Sequence, residues 1–225
     1  MTGDGLADLV ITPDQGGGPR VRVFAGNSAG EPLAQYADFF GIDDKSFFGG
    51  ARAAVADLSG DGVGDLIVSA GFGGGPRVAG YDGLTLGLAT PVKLFADFLA
   101  FEADLRNGAF VAGGDLDGDG RAELIAGGGP GGGPRVTAFS GLSLLANQQL
   151  PLANFFAGNA NSRGGVRVAV KNLDGDASAD LVVGAGTGAG SRVTAYAGKS
   201  LAAATPPELF AFDALAGFAG GVFVG

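Results

Sequence analysis

The chain contains no cysteine, histidine or tryptophan and a single methionine, and only 16% of its 225 residues are charged. Without cysteine there is no disulfide framework and no thiolate nucleophile. Without histidine the usual general base is gone, and with it the commonest partner of cysteine in a zinc staple. Any catalysis would rest on carboxylates, Lys, Tyr or Ser. Long apolar runs are missing too: the most apolar stretch, residues 209–225, is broken by Asp213 and several glycines, so membrane insertion is not expected. The first residues show no basic, apolar, small-residue signal pattern. Positive charge is scarce, with 14 Lys and Arg against 23 Asp and Glu, a net charge of −9 and a pI near 4.3. This argues against nucleic acid or an anionic membrane surface as the main partner and favours cations.

Glycine is abundant instead, at 45 residues, but without the three-residue period of collagen and among 46% hydrophobic residues. Helix propensity is poor at that glycine content, whereas short Val, Ile, Leu and Phe runs between Gly, Pro and Asp clusters read as strands. A single period organises them. The strings GGGPR, GGGPR, GGGPR and GAGSR place Arg20, Arg77, Arg135 and Arg192 at steps of 57, 58 and 57. Gly50, Gly108, Gly165 and Gly221 keep nearly the same step, so four repeats of about 57 residues fill the chain, approximately 1–57, 58–115, 116–172 and 173–225. Within one period, Ala51–Val55, Leu66–Ala70, a strand from Arg77 and the Phe-rich Pro91–Phe98 give four strands. The fold class predicted is all-β: a β-propeller of four four-stranded blades in a single domain, 1–225. Residues 221–225, which align with the first strand of a repeat, are expected to close the first blade; the alternative is that the chain forms half of an eight-bladed ring, as a homodimer rather than a monomer.

Between the first and second strands of each period lies an acidic loop. The loops read Asp57-Leu-Ser59-Gly-Asp61-Gly-Val63-Gly-Asp65, Asp115-Leu-Asp117-Gly-Asp119-Gly-Arg121-Ala-Glu123, and Asn172-Leu-Asp174-Gly-Asp176-Ala-Ser178-Ala-Asp180. Side-chain oxygens recur at positions 1, 3, 5 and 9, the residue at position 7 (Val63, Arg121, Ser178) offers its carbonyl, and glycine at position 6 permits a sharp bend. A hard cation taking six to eight oxygens, calcium above all, suits this donor set. The first loop is partial, with Asp4 and Asp8 at positions 5 and 9 and nothing at position 1, and is expected to be empty or weak. The loop 172–180 has Ala177 where its siblings have glycine and is expected to bind more weakly.

These loops, the apolar strand after each, and the Gly-Gly-Ala and Asn-Gly-Ala entries at 49–51 and 107–109 resemble the integrin-type FG-GAP and VCBS repeats of β-propellers over essentially the whole chain. The resemblance implies calcium at Asp57, Ser59, Asp61 and Asp65 and at their counterparts in the next two repeats. It also implies an extracellular or cell-surface module for adhesion or recognition of a glycan or protein ligand. Family members commonly carry seven or more repeats.

Other motifs have plainer readings. Gly127–Gly132 satisfies G-x-G-x-x-G, but Pro134 and a strand-like run follow where a nucleotide site needs a helix, so a tight turn is expected. The four repeated arginines are read as packing on aromatic neighbours and capping loops, with an anion-holding ring as the alternative. Phe39/Phe40, Phe95/Phe98, Phe155/Phe156 and Phe210/Phe212 are expected to form core between blades. The segments 41–48, 99–107, 157–163 and 213–219 differ most among repeats and are where a private ligand is expected. The functional expectation is a non-enzymatic calcium-binding module. Two alternatives stand beside it: a structural or engineered fragment of a larger propeller, and a propeller domain of a polysaccharide-active enzyme.

Overall fold

The computed structural model describes residues 1–28 and 33–225. The chain is all-β, with four antiparallel sheets that do not close into a barrel. The first sheet holds β1 (Leu9–Ile11), β2 (Arg20–Ala25) and β3 (Ala34–Phe40). The second holds β4 (Ala51–Ala56), β5 (Asp65–Ala70), β6 (Arg77–Tyr81) and β7 (Phe98–Leu99). The third is β8 (Ala109–Gly114), β9 (Glu123–Gly128), β10 (Arg135–Phe139) and β11 (Pro151–Phe156); the fourth is β12 (Val166–Lys171), β13 (Asp180–Ala185), β14 (Arg192–Tyr196) and β15 (Glu208–Asp213). Each sheet is a meander whose strands pair in chain order, so the period of the sequence is a period of sheets. The repeat boundaries cut the second to fourth sheets between their first and second strands.

The second strands carry most of the burial. Every residue of β5 and of β9 is buried, which explains their unbroken apolar runs: both faces are covered by neighbouring sheets. Three clusters fill the gaps between consecutive sheets, built around Val21, Leu66 and Tyr81, then Ile67, Leu124 and Phe139, then Ile125, Leu181 and Tyr196. An edge-on aromatic pair recurs in each: Phe39 with Tyr81 at 4.9 Å, Phe98 with Phe139 at 5.0 Å and Phe155 with Tyr196 at 5.1 Å between ring centres. The aromatic core expected between sheets is therefore present three times through Phe39, Phe98 and Phe155, whereas Phe40 and Phe156, expected with them, lie exposed. On the fourth sheet Phe210 and Phe212 are 44% and 50% exposed.

Adjacent sheets are also stitched by backbone. Gly50, Gly108 and Gly165 adopt φ of 75°, 65° and 68° and donate to the carbonyls of Gly17, Gly74 and Gly132 in the glycine turn of the preceding sheet. A side chain there has no room: a Cβ on Gly108 would lie 2.3 Å from the Gly71 carbonyl oxygen.

Two strand expectations need correction. Most of Pro91–Phe98 is not a strand; the Phe95 ring drops onto Gly80, leaving only Phe98–Leu99 paired and an isolated bridge from Lys93 to Tyr81. Residues 221–225 hold no strand and do not complete the first sheet, which has three strands among the described residues. Gly221, at φ 79°, sits on Gly186, and the Val222 amide donates to the Ala185 carbonyl at 2.9 Å, so this segment follows the fourth sheet as Gly165 follows the third. No described helix is long and apolar enough to cross a membrane.

Candidate metal centre

The three complete acidic loops are the hairpins that join β4 to β5, β8 to β9 and β12 to β13. Glycine is required at the bend: Gly62 and Gly120 both have φ of 87°. Ala177 stays out of that left-handed region, so the third loop turns without it. The loops also touch each other. The Ala122 amide donates to the Asp57 carbonyl at 2.8 Å, the Ala179 amide to the Asp115 carbonyl at 2.7 Å, and the Arg121 side chain lies over Gly60.

Inside each loop the carboxylates organise backbone amides. Position 1 accepts from positions 4 and 6: Asp57 from Gly60 and Gly62 at 2.7 and 2.8 Å, and Asp115 from Gly118 and Gly120 at 2.7 and 2.9 Å. Position 5 accepts from the amide at position 7, with Asp61, Asp119 and Asp176 each 2.8 Å from Val63, Arg121 and Ser178. The partial first loop does the same from Leu6 to Asp4 at 2.9 Å. Asp117 accepts from Asp119 at 3.1 Å and Asp174 from Asp176 at 3.0 Å, while the Ser59 hydroxyl reaches Asp57 at 3.4 Å. Asn172 uses both ends, accepting from Gly175 at 2.7 Å and donating to the Asp176 carbonyl at 2.6 Å.

Among the described residues, one set of three carboxylates converges. Ligand oxygens of Asp115, Asp117 and Glu123 lie within 4.8 Å of one another. Three oxygens at that limit stand about 2.8 Å from their common centre, so a small inward turn of the side chains brings them to the ~2.3–2.6 Å of a calcium–oxygen contact. Every one of these oxygens has a second lone pair beyond its amide partner, so the hydrogen bonds above do not block a cation. The electrostatics match. Burial, with Asp117 and Asp119 adding, pushes the Glu123 carboxyl up to about 7. Burial, with Asp119 and Asp115 adding, also raises Asp117 above the usual carboxylate range. The donor set is all hard oxygen, so the residues fit calcium and can hold a metal ion.

The corresponding carboxylates of the other loops do not meet in this way. Ser59 replaces an acid in the loop 57–65, where burial raises Asp65. In the loop 172–180 the ammonium of Lys199 hydrogen-bonds Asp176 and holds its carboxyl below the usual range. Thr2 donates to Asp8, which the chain terminus also approaches, and Asp4 stands apart.

Position 9 has a second duty that sequence reasoning missed. Asp8, Asp65, Glu123 and Asp180 each accept from an amide 18 residues on, that of Gly26, Gly83, Gly141 and Gly198, at 3.1, 2.8, 3.4 and 3.2 Å. Each also takes an amide early in its own loop, from Thr2, Ser59, Leu116 and Leu173 at 2.7–2.9 Å. These carboxylates, buried in the last three sheets, pin the acidic loop to the turn after the third strand. The glycines are obligatory, since a Cβ on any of them would lie 1.9–2.3 Å from the carbonyl oxygen of position 8. The signal was present as four glycines at steps of 57, 58 and 57.

The repeated strand-opening arginines take local roles where partners are visible. Arg20 and Arg22 pair with Asp38 across their own sheet, and Arg135 pairs with Glu102 while its Nε donates to Asn154 at 2.9 Å. The Gly127–Gly132 string is a strand end and turn, followed by β10.

No family model matches this chain, and no curated relative does. Among solved structures it is similar to a Bacillus licheniformis rhamnogalacturonan lyase, with a TM-score of 0.48 and 15% identity over 88% of this chain and 43% of that one. It is similar also to the rhamnogalacturonan lyase YesW, with a TM-score of 0.45 and 17% identity over 88% of this chain and 43% of that one. The exotype rhamnogalacturonan lyase YesX gives 0.46 and 16%, over 86% of this chain and 41% of its own. The chain spans less than half the length of each.

Proposed function

We propose that this chain is a set of β-propeller blades of the FG-GAP and VCBS kind, held by calcium, that works outside the cell as a non-enzymatic recognition module. The observation that supports it is the gathering of Asp115, Asp117 and Glu123, whose ligand oxygens lie within 4.8 Å of one another in a single loop. Calcium bound there supplies charge neutralisation and nothing more. The chain's own part is to hold the loop through Gly118 and Gly120 and to tie it through Glu123 to the next turn. The loops 57–65 and 172–180 have the same frame and would take an ion only after Asp61 and Asp176 turn inward, the latter by releasing Lys199. Recognition falls to the segments that follow the last strand of each sheet, 41–48, 99–107, 157–163 and 213–219, because the repeated parts are consumed in packing.

The bare faces at the two ends bear on assembly. Leu9 and Ile11 on the first sheet, and Phe210 and Phe212 on the fourth, are exposed apolar residues whose counterparts between sheets are covered. A second copy packed on these faces would double the mass of 22.0 kDa read by light scattering. The functional test is calorimetric titration with calcium followed by a glycan panel with and without chelator. One strong site and calcium-dependent glycan retention support the reading; no calcium heat removes it. Shortening of a polysaccharide on that panel would instead favour the second reading, a propeller domain within a polysaccharide-active enzyme.

A further inference from the structure

The first strands of the last three sheets place one position side by side. Two residues after the docking glycines Gly50, Gly108, Gly165 and Gly221 stand Arg52, Phe110, Arg167 and Phe223, an alternation of cation and ring. The structure stacks them. The Arg52 guanidinium carbon lies 3.9 Å from the centre of the Phe110 ring, and Arg167 lies 5.1 Å from the same ring and 4.8 Å from Phe223. Together they line a cavity of about 670 Å³ with Thr12, Asp14, Gln15 and Phe72, at the opposite end of the first strands from the acidic loops.

These two cations are short of partners. Arg52 Nη1 donates to the Ala109 carbonyl at 2.8 Å and Arg167 Nη1 to the Gly164 carbonyl at 3.3 Å. Arg167 is 7% exposed, and its Nε is buried with no hydrogen-bond partner. Among the described residues no carboxylate forms an ion pair with either; exposed Asp14 lies near enough only to steady Arg52. Burial pushes Arg52 down to about 10, against the pull of Asp14, with the charge of Arg167 adding, and burial also lowers Arg167. A buried donor without an acceptor, beside a second guanidinium, is costly unless something supplies negative charge and acceptor atoms.

We propose that this cavity is an anion site for an organic carboxylate, gripped by Arg167 Nε and the free donors of Arg52, with the apolar part of the ligand lying against Phe72, Phe110 and Phe223. The planar two-oxygen head of a carboxylate matches the fork of a guanidinium, and a single negative charge is enough where Asp14 already offsets part of the pair. Phe223, 77% exposed at the mouth, leaves the way in open. The site is independent of the calcium reading, since it shares no residue with the acidic loops.

The test uses the whole calcium-loaded chain and four probes: glucuronate, acetate, glucose and inorganic phosphate. Arginine Nε–H resonances are followed by NMR, with calorimetry alongside. Glucuronate and acetate are expected to move the Arg167 Nε–H signal and glucose to leave it unchanged; tighter binding of glucuronate than acetate places the carboxylate on a sugar-sized ligand, and equal binding places it on a small free acid. Arg52→Gln and Arg167→Gln are each expected to weaken carboxylate binding about tenfold or more. An Arg167 signal indifferent to both carboxylates, an equal response to glucose, or phosphate binding more tightly than either carboxylate overturns the proposal. Because the resonance is read on the unaltered chain, a variant that fails to fold leaves the test intact.

Discussion

Replacing Asp117 by Asn separates the metal role of the loop 115–123 from its structural one. The Asn carbonyl can still accept from the Asp119 amide, now 3.1 Å away, so the turn keeps its hydrogen bond. What is lost is one of three charges that converge within 4.8 Å. With calcium at about ten times its dissociation constant, a single site stabilises the fold by about 1.4 kcal/mol. For a chain of this length that is a rise of about 3–6 °C in the melting midpoint. If the substitution weakens calcium about tenfold, the increment falls to about 0.4 kcal/mol, or roughly 1–2 °C. In chelator the variant should melt at the same temperature as the parent or slightly higher, because repulsion from Asp115 and Asp119 is relieved. Scanning calorimetry in calcium and in chelator reads all four values. Asp61→Asn, in a loop whose carboxylates do not converge, is the control and should leave the calcium increment unchanged. An equal drop for Asp117→Asn in both buffers would refute the reasoning, since the residue would then be acting through the fold and not through an ion.

Gly141→Ala drives a methyl to 2.2 Å from the Ala122 carbonyl and breaks the bond to Glu123, so denaturant unfolding should show a loss of about 2–4 kcal/mol, whereas Gly120→Ala, at φ 87° in open space, should cost about 1 kcal/mol. Leu124→Ala, fully buried, should cost about 2–5 kcal/mol, while Phe212→Ala should stay within about 1 kcal/mol; equal losses would mean that the outer face of the fourth sheet is covered in solution. The hydrogen bond from Arg20, joined by the charges of Arg20 and Arg22, holds Asp38 below its ordinary 3.8. The pair's stabilisation is therefore present above pH 3.8 and lost as pH falls through the lower folded value; carboxyl NMR titration should show that midpoint rising in Arg20→Gln.

The sheets were legible because the apolar runs of β5, β9 and β13 and the glycine-proline turns each have a local physical cause that recurs at one step. The loop carboxylates were legible for the same reason. Their convergence was not, because it depends on substitutions at single positions: Ser59 in one loop, Asn172 and the reach of Lys199 in another. The pin between Glu123 and Gly141 spans 18 residues, too far for a loop motif and too near for the repeat, and the glycine looks like any other turn glycine until its Cβ is placed. Arg52 and Arg167 escaped notice for a different reason. A repeat shows itself by like residues at like places, and at this position the repeats alternate cation and ring.

That alternation has a structural consequence of its own. A property shared by every sheet has a period of one sheet, but Arg52, Phe110, Arg167 and Phe223 have a period of two. Deleting the third sheet, or duplicating the second or the fourth, would bring two guanidinium groups into adjacent places with no aromatic spacer between them, and their repulsion would have nothing to absorb it. Variants built by adding or removing an adjacent pair of sheets keep the alternation and should be tolerated better than those three single-sheet changes.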